Sequence, residues 1–220
     1  MIKILHQDPY LIAIEKPPGL PSQPTMDPRR PNALDQLKSQ LGREVFLHHR
    51  LDRDTSGVMI FGLDKKINPA LTNLFREHQI QKKYVCIVKM NKETLPTEFQ
   101  VQNHLAPIRD QNKKLMRMVS VKTGGWAALT LFQVMQLHDS YALIQAVPKT
   151  GRTHQIRIHL AEMKCPILGD PLYGGKSSLV PRLMLHASSI EFEHPITKQN
   201  ILIKCEYPKD FTSVMSHLQL

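Results

Sequence analysis

The sequence predicts an α+β fold on a mixed, largely antiparallel sheet with flanking helices. Apolar stretches of strand length alternate with stretches of helical spacing, but without a regular strand-helix-strand period. Neighbouring strand candidates are separated by hairpin-length joins, such as His138-Asp139-Ser140. No internal repeat, low-complexity tract or domain linker interrupts the 220 residues, so one continuous domain over 1–220 is expected.

Residues 2–5 and 11–15 read as short strands around the turn His6-Gln7-Asp8-Pro9. A proline-rich loop follows from Lys16-Pro17-Pro18-Gly19, stiffened by fixed φ angles. Asn32 is placed to cap a helix that turns Leu34, Leu37 and Leu41 inward and stops at Gly42. Val58-Met59-Ile60-Phe61 opens a buried strand through Leu63. Asn68-Pro69 starts a second helix with Ala70, Leu71, Leu74 and Phe75 apolar. Strands are expected over 82–88, 101–105, 127–137 and 141–147. Residues 109–117, carrying Arg109, Lys113, Lys114 and Arg117, read as a surface loop or hairpin tip. Thr153 is placed to cap a helix with Ile156, Leu160 and Met163 inward. A turn-rich loop over 166–175, strands over 185–192 and 201–205, and a helix capped by Asp210 complete the chain. That last helix carries Phe211, Val214, Met215 and Leu218 on one face.

Lys and Arg total 29 against 19 Asp and Glu, and the net charge of +10 favours a polyanionic partner, with nucleic acid first. A membrane surface is the weaker alternative, because no basic amphipathic stretch supports it. Cys86, Cys165 and Cys205 lack zinc-finger spacing and suit a reducing compartment. Lys3, His6, Gln7 and Asp8 leave no start for a signal peptide or membrane span, so a cytoplasmic protein is expected.

Chemistry concentrates in two stretches. The first is His48-His49-Arg50-Leu51-Asp52-Arg53-Asp54-Thr55-Ser56-Gly57, set directly against the apolar strand. Asp52 lies between Arg50 and Arg53, which favour its ionised form, and an ionised carboxylate serves as nucleophile or general base. A structural salt bridge explains the same pattern equally well. Ser56 with His49 lacks the strand-nucleophile-helix elbow of a serine hydrolase. The second stretch is Lys149-Thr150-Gly151-Arg152-Thr153-His154-Gln155-Ile156-Arg157-Ile158-His159, where Arg152 and Arg157 are distant partners for Asp52. His154 and His159 are five apart, which turns them to different helix faces, so no metal site is expected. Neither Gly124-Gly125 nor Gly174-Gly175 belongs to a phosphate-binding glycine motif.

Taken together these motifs resemble the RluA-type pseudouridine synthase family over nearly the whole chain. His49 to Gly57 is similar to the family's catalytic motif, Lys16-Pro17-Pro18-Gly19 to its N-terminal loop, and Lys83-Tyr84 to its tyrosine motif. Gly151 to Arg157 with Gly169-Asp170 is similar to its C-terminal motif. The resemblance implies a single catalytic domain that detaches uracil from C1′ of a uridine in RNA and rejoins it through C5, without a cofactor. It implies Asp52 as the catalytic carboxylate, Tyr84 against the flipped base and Arg157 as the charge partner of Asp52. Arg50 is implied to enter the space the base leaves, with His49, Arg53, Lys16, Arg152 and Lys83 also at the RNA. Base extrusion is least costly in loops, so the expected partner is structured RNA, a stem-loop of tRNA or rRNA. With a first strand at Ile2, no S4-like RNA-binding domain is expected ahead of it, and no obligate protein partner is implied, so a monomer is expected.

Overall fold

The structure, a computed structural model, describes residues 1–90, 95–110 and 115–220, with side chains described outside 109–116. In chain order the strands and helices are β1 (Lys3–Gln7), β2 (Leu11–Lys16), α1 (Ala33–Leu41), β3 (Phe46–Leu47), β4 (Ser56–Gly62) and α2 (Asn68–Arg76). They continue with β5 (Gln81–Lys89), β6 (Glu98–Asp110), β7 (Leu115–Val121), β8 (Trp126–His138) and β9 (Tyr141–Pro148). The last are α3 (Gln155–Glu162), β10 (Leu185–Glu193), β11 (Asn200–Lys204) and α4 (Lys209–His217). The fold is α+β on a mixed, mostly antiparallel sheet. By its contacts the chain divides into two units, Met1–Lys82 with His186–Pro208, and Lys83–Leu185 with Lys209–Leu220.

In the first unit the strands run β1-β2-β4-β10, with β3 beside β4 and β11 beside β10. β4 is buried along its whole length, as its apolar run requires. It lies antiparallel to β2 and β3 and parallel to β10, where Ser56 stands opposite His186 and Gly57 opposite Ala187. Gly57 is obligatory here: its φ is +120°, and a Cβ would stand 2.2 Å from the Ala187 carbonyl oxygen. Asn32 caps α1 by accepting from the Asp35 amide, and Gly42 closes it at φ 63°. The buried face of α1 is Ala33 and Leu37, while Leu34 and Leu41 are half-buried.

The second unit is an antiparallel run β5-β9-β8-β6-β7. β6 spans thirteen residues, well beyond the expected 101–105. The β8–β9 turn is the two-residue Asp139-Ser140, with Asp139 at φ 50°. Of the basic segment 109–117, the ends belong to the β6–β7 ladder; residues 111–114, with Lys113 and Lys114, lie outside the described residues. α3 is buried from Gln155 to Leu160 rather than along one stripe, and Met163 stands 36% exposed instead of inward. Three further cap assignments change. Asn68 lies inside helical geometry and spends its Oδ1 on His48 Nε2 (3.1 Å). His154, in the left-handed region at φ 58°, takes the cap position expected of Thr153. Asp210 lies within the first turn of α4 and accepts two hydrogen bonds from Arg182 (2.6 and 2.9 Å).

Candidate active site

The turn that carries Asp52 enters from β3 and leaves into β4, and it is pinned on both sides of the aspartate. On one side, Ser22 Oγ donates to the Leu51 carbonyl (2.8 Å) and accepts from the Leu51 amide (3.0 Å). On the other, Lys16 Nζ donates to the Arg53 carbonyl (2.9 Å) and to the carbonyls of Pro17 and Leu20. The Thr55 amide closes the turn on the Asp52 carbonyl (3.2 Å). Asp52 itself stays half-buried between these anchors, and Arg50 is exposed.

Two expected RNA contacts turn inward. Lys16 is fully buried, its ammonium engaged by three carbonyls, so it supports the turn instead of reaching a phosphate. His49 stacks on Phe75 at 4.5 Å, and its Nε2 accepts from the Ile60 amide (2.9 Å), standing in for a strand carbonyl where β3 ends. Burial, and then the charges of Lys82 and His48, push its pKa down to about 3, so it is a neutral ring and not a cationic grip. Arg53 is exposed and directs its guanidinium to Asp54 (3.0 and 3.1 Å), which also raises its pKa. Ser56 pairs with His186 Nδ1 (2.9 Å) rather than with His49, and His186 Nε2 donates to the Cys205 carbonyl (3.2 Å). That bond fixes Nδ1 as the acceptor, so the serine hydroxyl is committed to joining β4 and β10.

In the second unit, Arg157 forms a buried, two-pronged pair with Asp170, Nε to Oδ2 at 2.8 Å and Nη2 to Oδ1 at 2.9 Å. Asp170 Oδ1 also accepts from the Leu172 and Tyr173 amides (2.9 and 3.2 Å), so the loop over 166–175 closes around the carboxylate. The guanidinium lies over the Tyr173 ring, 5.2 Å from its centroid. Tyr173 in turn bonds β7 through the Met118 amide and carbonyl (3.2 and 3.1 Å), and meets His154 Nδ1 at 2.9 Å. Sequence reasoning gave Asp170 and Tyr173 no role of their own: Asp170 entered only through the resemblance of Gly169-Asp170 to the family's C-terminal motif, and Tyr173 only through the turn chemistry of Gly169-Asp170-Pro171-Leu172-Tyr173-Gly174. Ser22 gave no signal at all.

Gln155 fastens the start of α3 to β8. Its Oε1 accepts from Thr150 Oγ1 (2.6 Å) and the Arg152 amide (3.0 Å), and its Nε2 donates to the Leu129 carbonyl and Thr130 Oγ1. His159 bridges Thr130 and Asn103 (3.0 and 2.9 Å), and burial lowers its pKa to about 4. Arg152 Nε donates to the Ala127 carbonyl (3.1 Å). Tyr84 and Lys83 lie half-buried on β5, with Tyr84 opposite Ala146 of β9. The site residues therefore divide between the units: Asp52, Arg50, His49, Arg53 and Lys16 on the first, Tyr84, Lys83, Arg152 and Arg157 on the second.

A family model described as RNA pseudouridylate synthase matches residues 10–162, which include both the Asp52 turn and Arg157. The chain belongs to the RluA-type RNA pseudouridine synthase family. It is an RNA isomerase. Similar proteins include the tRNA pseudouridine synthase C of Vibrio cholerae, 32% identical over 98% of this chain and 95% of that one. The tRNA pseudouridine synthase C of Pasteurella multocida is 34% identical over 92% and 90% of the two chains. Among solved structures, human RNA pseudouridylate synthase domain containing 4 superposes with a TM-score of 0.78 at 29% identity, covering 99% of this chain and 93% of that one. No helix among the described residues is long and apolar enough to cross a membrane.

Proposed function

We propose that this chain converts a uridine in a tRNA stem-loop to pseudouridine, with Asp52 as the catalytic carboxylate. The observation that carries the reading is the doubly pinned turn: Leu51 and Arg53 are held through their backbones while Asp52 between them stays half-buried. A carboxylate fixed by its neighbours' backbones is oriented before substrate arrives, which is what a group acting at C1′ needs. Asp52 attacks the sugar or removes a proton from it. Arg157, aimed by Asp170, is its charge partner, and Tyr84 meets the flipped base. Arg50, exposed beside Asp52, takes the place of the extruded base, and its planar guanidinium suits stacking there. Lys83, Arg152 and Arg53 add phosphate contacts, and the net charge of +10 supplies a grip that weakens with salt.

The two units act together as one catalytic domain over 1–220, working as a cytoplasmic monomer. The tRNA assignment is supported by the names of the full-length bacterial relatives. The direct test is Asp52→Asn, assayed for pseudouridine formation and for RNA binding in parallel. Loss of product with binding retained is expected, and full activity overturns the role of Asp52. Pseudouridine mapping of total RNA from cells with and without the gene tests the substrate; a site lost from rRNA alone overturns the tRNA assignment.

A further inference from the structure

Trp126 is the only tryptophan of the chain, and it stands 52% exposed at the start of β8. A large aromatic ring in water loses apolar burial that a partner can restore. Its surroundings identify the partner's chemistry. Residues 122–127 are exposed without interruption. Gly124 and Gly125 take positive φ, and Gly125 packs so close to the Leu105 carbonyl that a Cβ would stand 2.8 Å from it. The turn beside the ring therefore carries no side chain at two successive positions. Arg152 is fastened to the carbonyl of Ala127, the next residue in the strand, and Lys122 lies on the same turn. Among the described residues between Asp110 and Glu162, Arg117, Lys122, Lys149 and Arg152 are the cations that are not buried, against one acid, Asp139, at the opposite end of β8; Glu162 is itself engaged by Asn103, opposite Ala128. An exposed aromatic on an acid-poor, cationic surface fits a nucleobase on its phosphate chain better than a protein surface.

Trp126 stands at the uncovered end of the face that carries Tyr84; Ala128, Thr130 and Phe132 between them are buried under α3, so an RNA strand reaching both runs outside that helix. Register puts Tyr84, Ala146 and Phe132 in one row across β5, β9 and β8, and Trp126 shares the Phe132 side of β8. Trp126 also pairs with Leu105, which belongs with Ala128, Met118 and Ile158 to the cluster that Tyr173 packs against. Six residues of strand separate Trp126 from the Phe132 row, about 20 Å at roughly 3.3 Å per residue. That equals roughly six stacked nucleotides at about 3.4 Å each, within the reach of one stem-loop.

We propose that Trp126 is a stacking platform for a base of the substrate RNA that lies several nucleotides from the target uridine, with Arg152 and Lys122 on the adjoining phosphates. The proposal rests on the tRNA reading above and is independent of the role given to Asp52. The lone tryptophan reports on itself. Titration of the wild-type enzyme with unfractionated tRNA should quench its emission and shield it from acrylamide, whereas heparin, a polyanion without bases, should do neither. Trp126→Ala should weaken tRNA binding about tenfold, raise KM by a similar factor with kcat within twofold, and leave the salt dependence unchanged. Trp126→Phe should bind within threefold of wild type. Emission unaltered at saturating tRNA overturns the proposal, as does equal quenching by heparin. An emission change that follows enzyme concentration without RNA also overturns it, by making this face a contact between copies. Should Trp126→Ala fail to fold, the wild-type titration still decides. An enzyme that makes pseudouridine in the tRNA while its tryptophan ignores that tRNA loses this proposal alone.

Discussion

The Asp52 turn and the Arg157 cluster come from the two densest polar stretches of the chain, yet they are held by opposite means. Around Asp52 the supports are neutral or point at backbone: Ser22 on Leu51, Lys16 on three carbonyls, His49 on the Ile60 amide. Around Arg157 the support is one buried charge set against another, with Asp170 fully enclosed. Hydrogen bonds to backbone can be lost singly at modest cost, whereas half of a buried ion pair leaves a stranded charge. The first design tolerates gradual loosening. The second fails in one step.

The largest effect is therefore expected from Asp170→Ala. It takes the two-pronged partner from the buried Arg157 guanidinium and the acceptor from the amides of Leu172 and Tyr173, and should cost about 3–5 kcal/mol in urea unfolding. Activity should fall with it. A stable but inactive Asp170→Ala would place the second region on the same footing as the first.

Gly57→Ala should come next. The new methyl meets the Ala187 carbonyl and the backbone is held at φ +120°, so overpacking and strain together should cost about 3 kcal/mol, read as a lowered unfolding midpoint. This variant asks whether the turn region has a rigid point of its own, at the junction of β4 with β10. A loss under about 1 kcal/mol would show that the junction can shift.

Ser22→Ala removes both bonds to Leu51 and should cost about 1–2 kcal/mol. The more informative readout is kinetic: kcat should drop about tenfold with KM nearly constant, because the aspartate is less well aimed while RNA binding is untouched. A rise in KM instead would move Ser22 from aiming the carboxylate to shaping the RNA surface.

Much of this was legible in the sequence, and the failures share one cause. Local signals read correctly where the partner is local: Asn32 and Gly42 bound α1, and Asp139-Ser140 turns β8 into β9. They misled where a distant group claims the side chain. Asn68 and Asp210 have cap chemistry but serve His48 and Arg182, and Lys16 has surface chemistry but is enclosed by carbonyls up to 37 residues away. β6 outran its expected length at both ends, because pairing with β8 carries Glu98, Phe99 and Gln100, and pairing with β7 carries 106–110 on past Pro107. The charged residues of the candidate site were visible in the sequence; which of them brace the fold was decided by burial, which one-dimensional charge does not report.

The last effect is read as a slope with pH, and it separates His49 from the other two supports of the Asp52 turn. His49 is held neutral down to about pH 3, whereas an unfolded histidine takes its proton near 6.5. Above 6.5 neither state binds that proton and the His49 contribution to stability is whole. As pH falls from 6.5 toward 3 the unfolded chain gains a proton that the folded one refuses, so stability declines across that window. His159, held to about 4, adds a slope of the same sign. His49→Gln keeps an acceptor for the Ile60 amide but no longer titrates. Its denaturant midpoint should fall less steeply between pH 6 and 4, by under about one proton, with the His159 slope remaining. An unchanged profile would mean that His49 opens to water at little cost, and that Ser22 and Lys16 alone hold the turn.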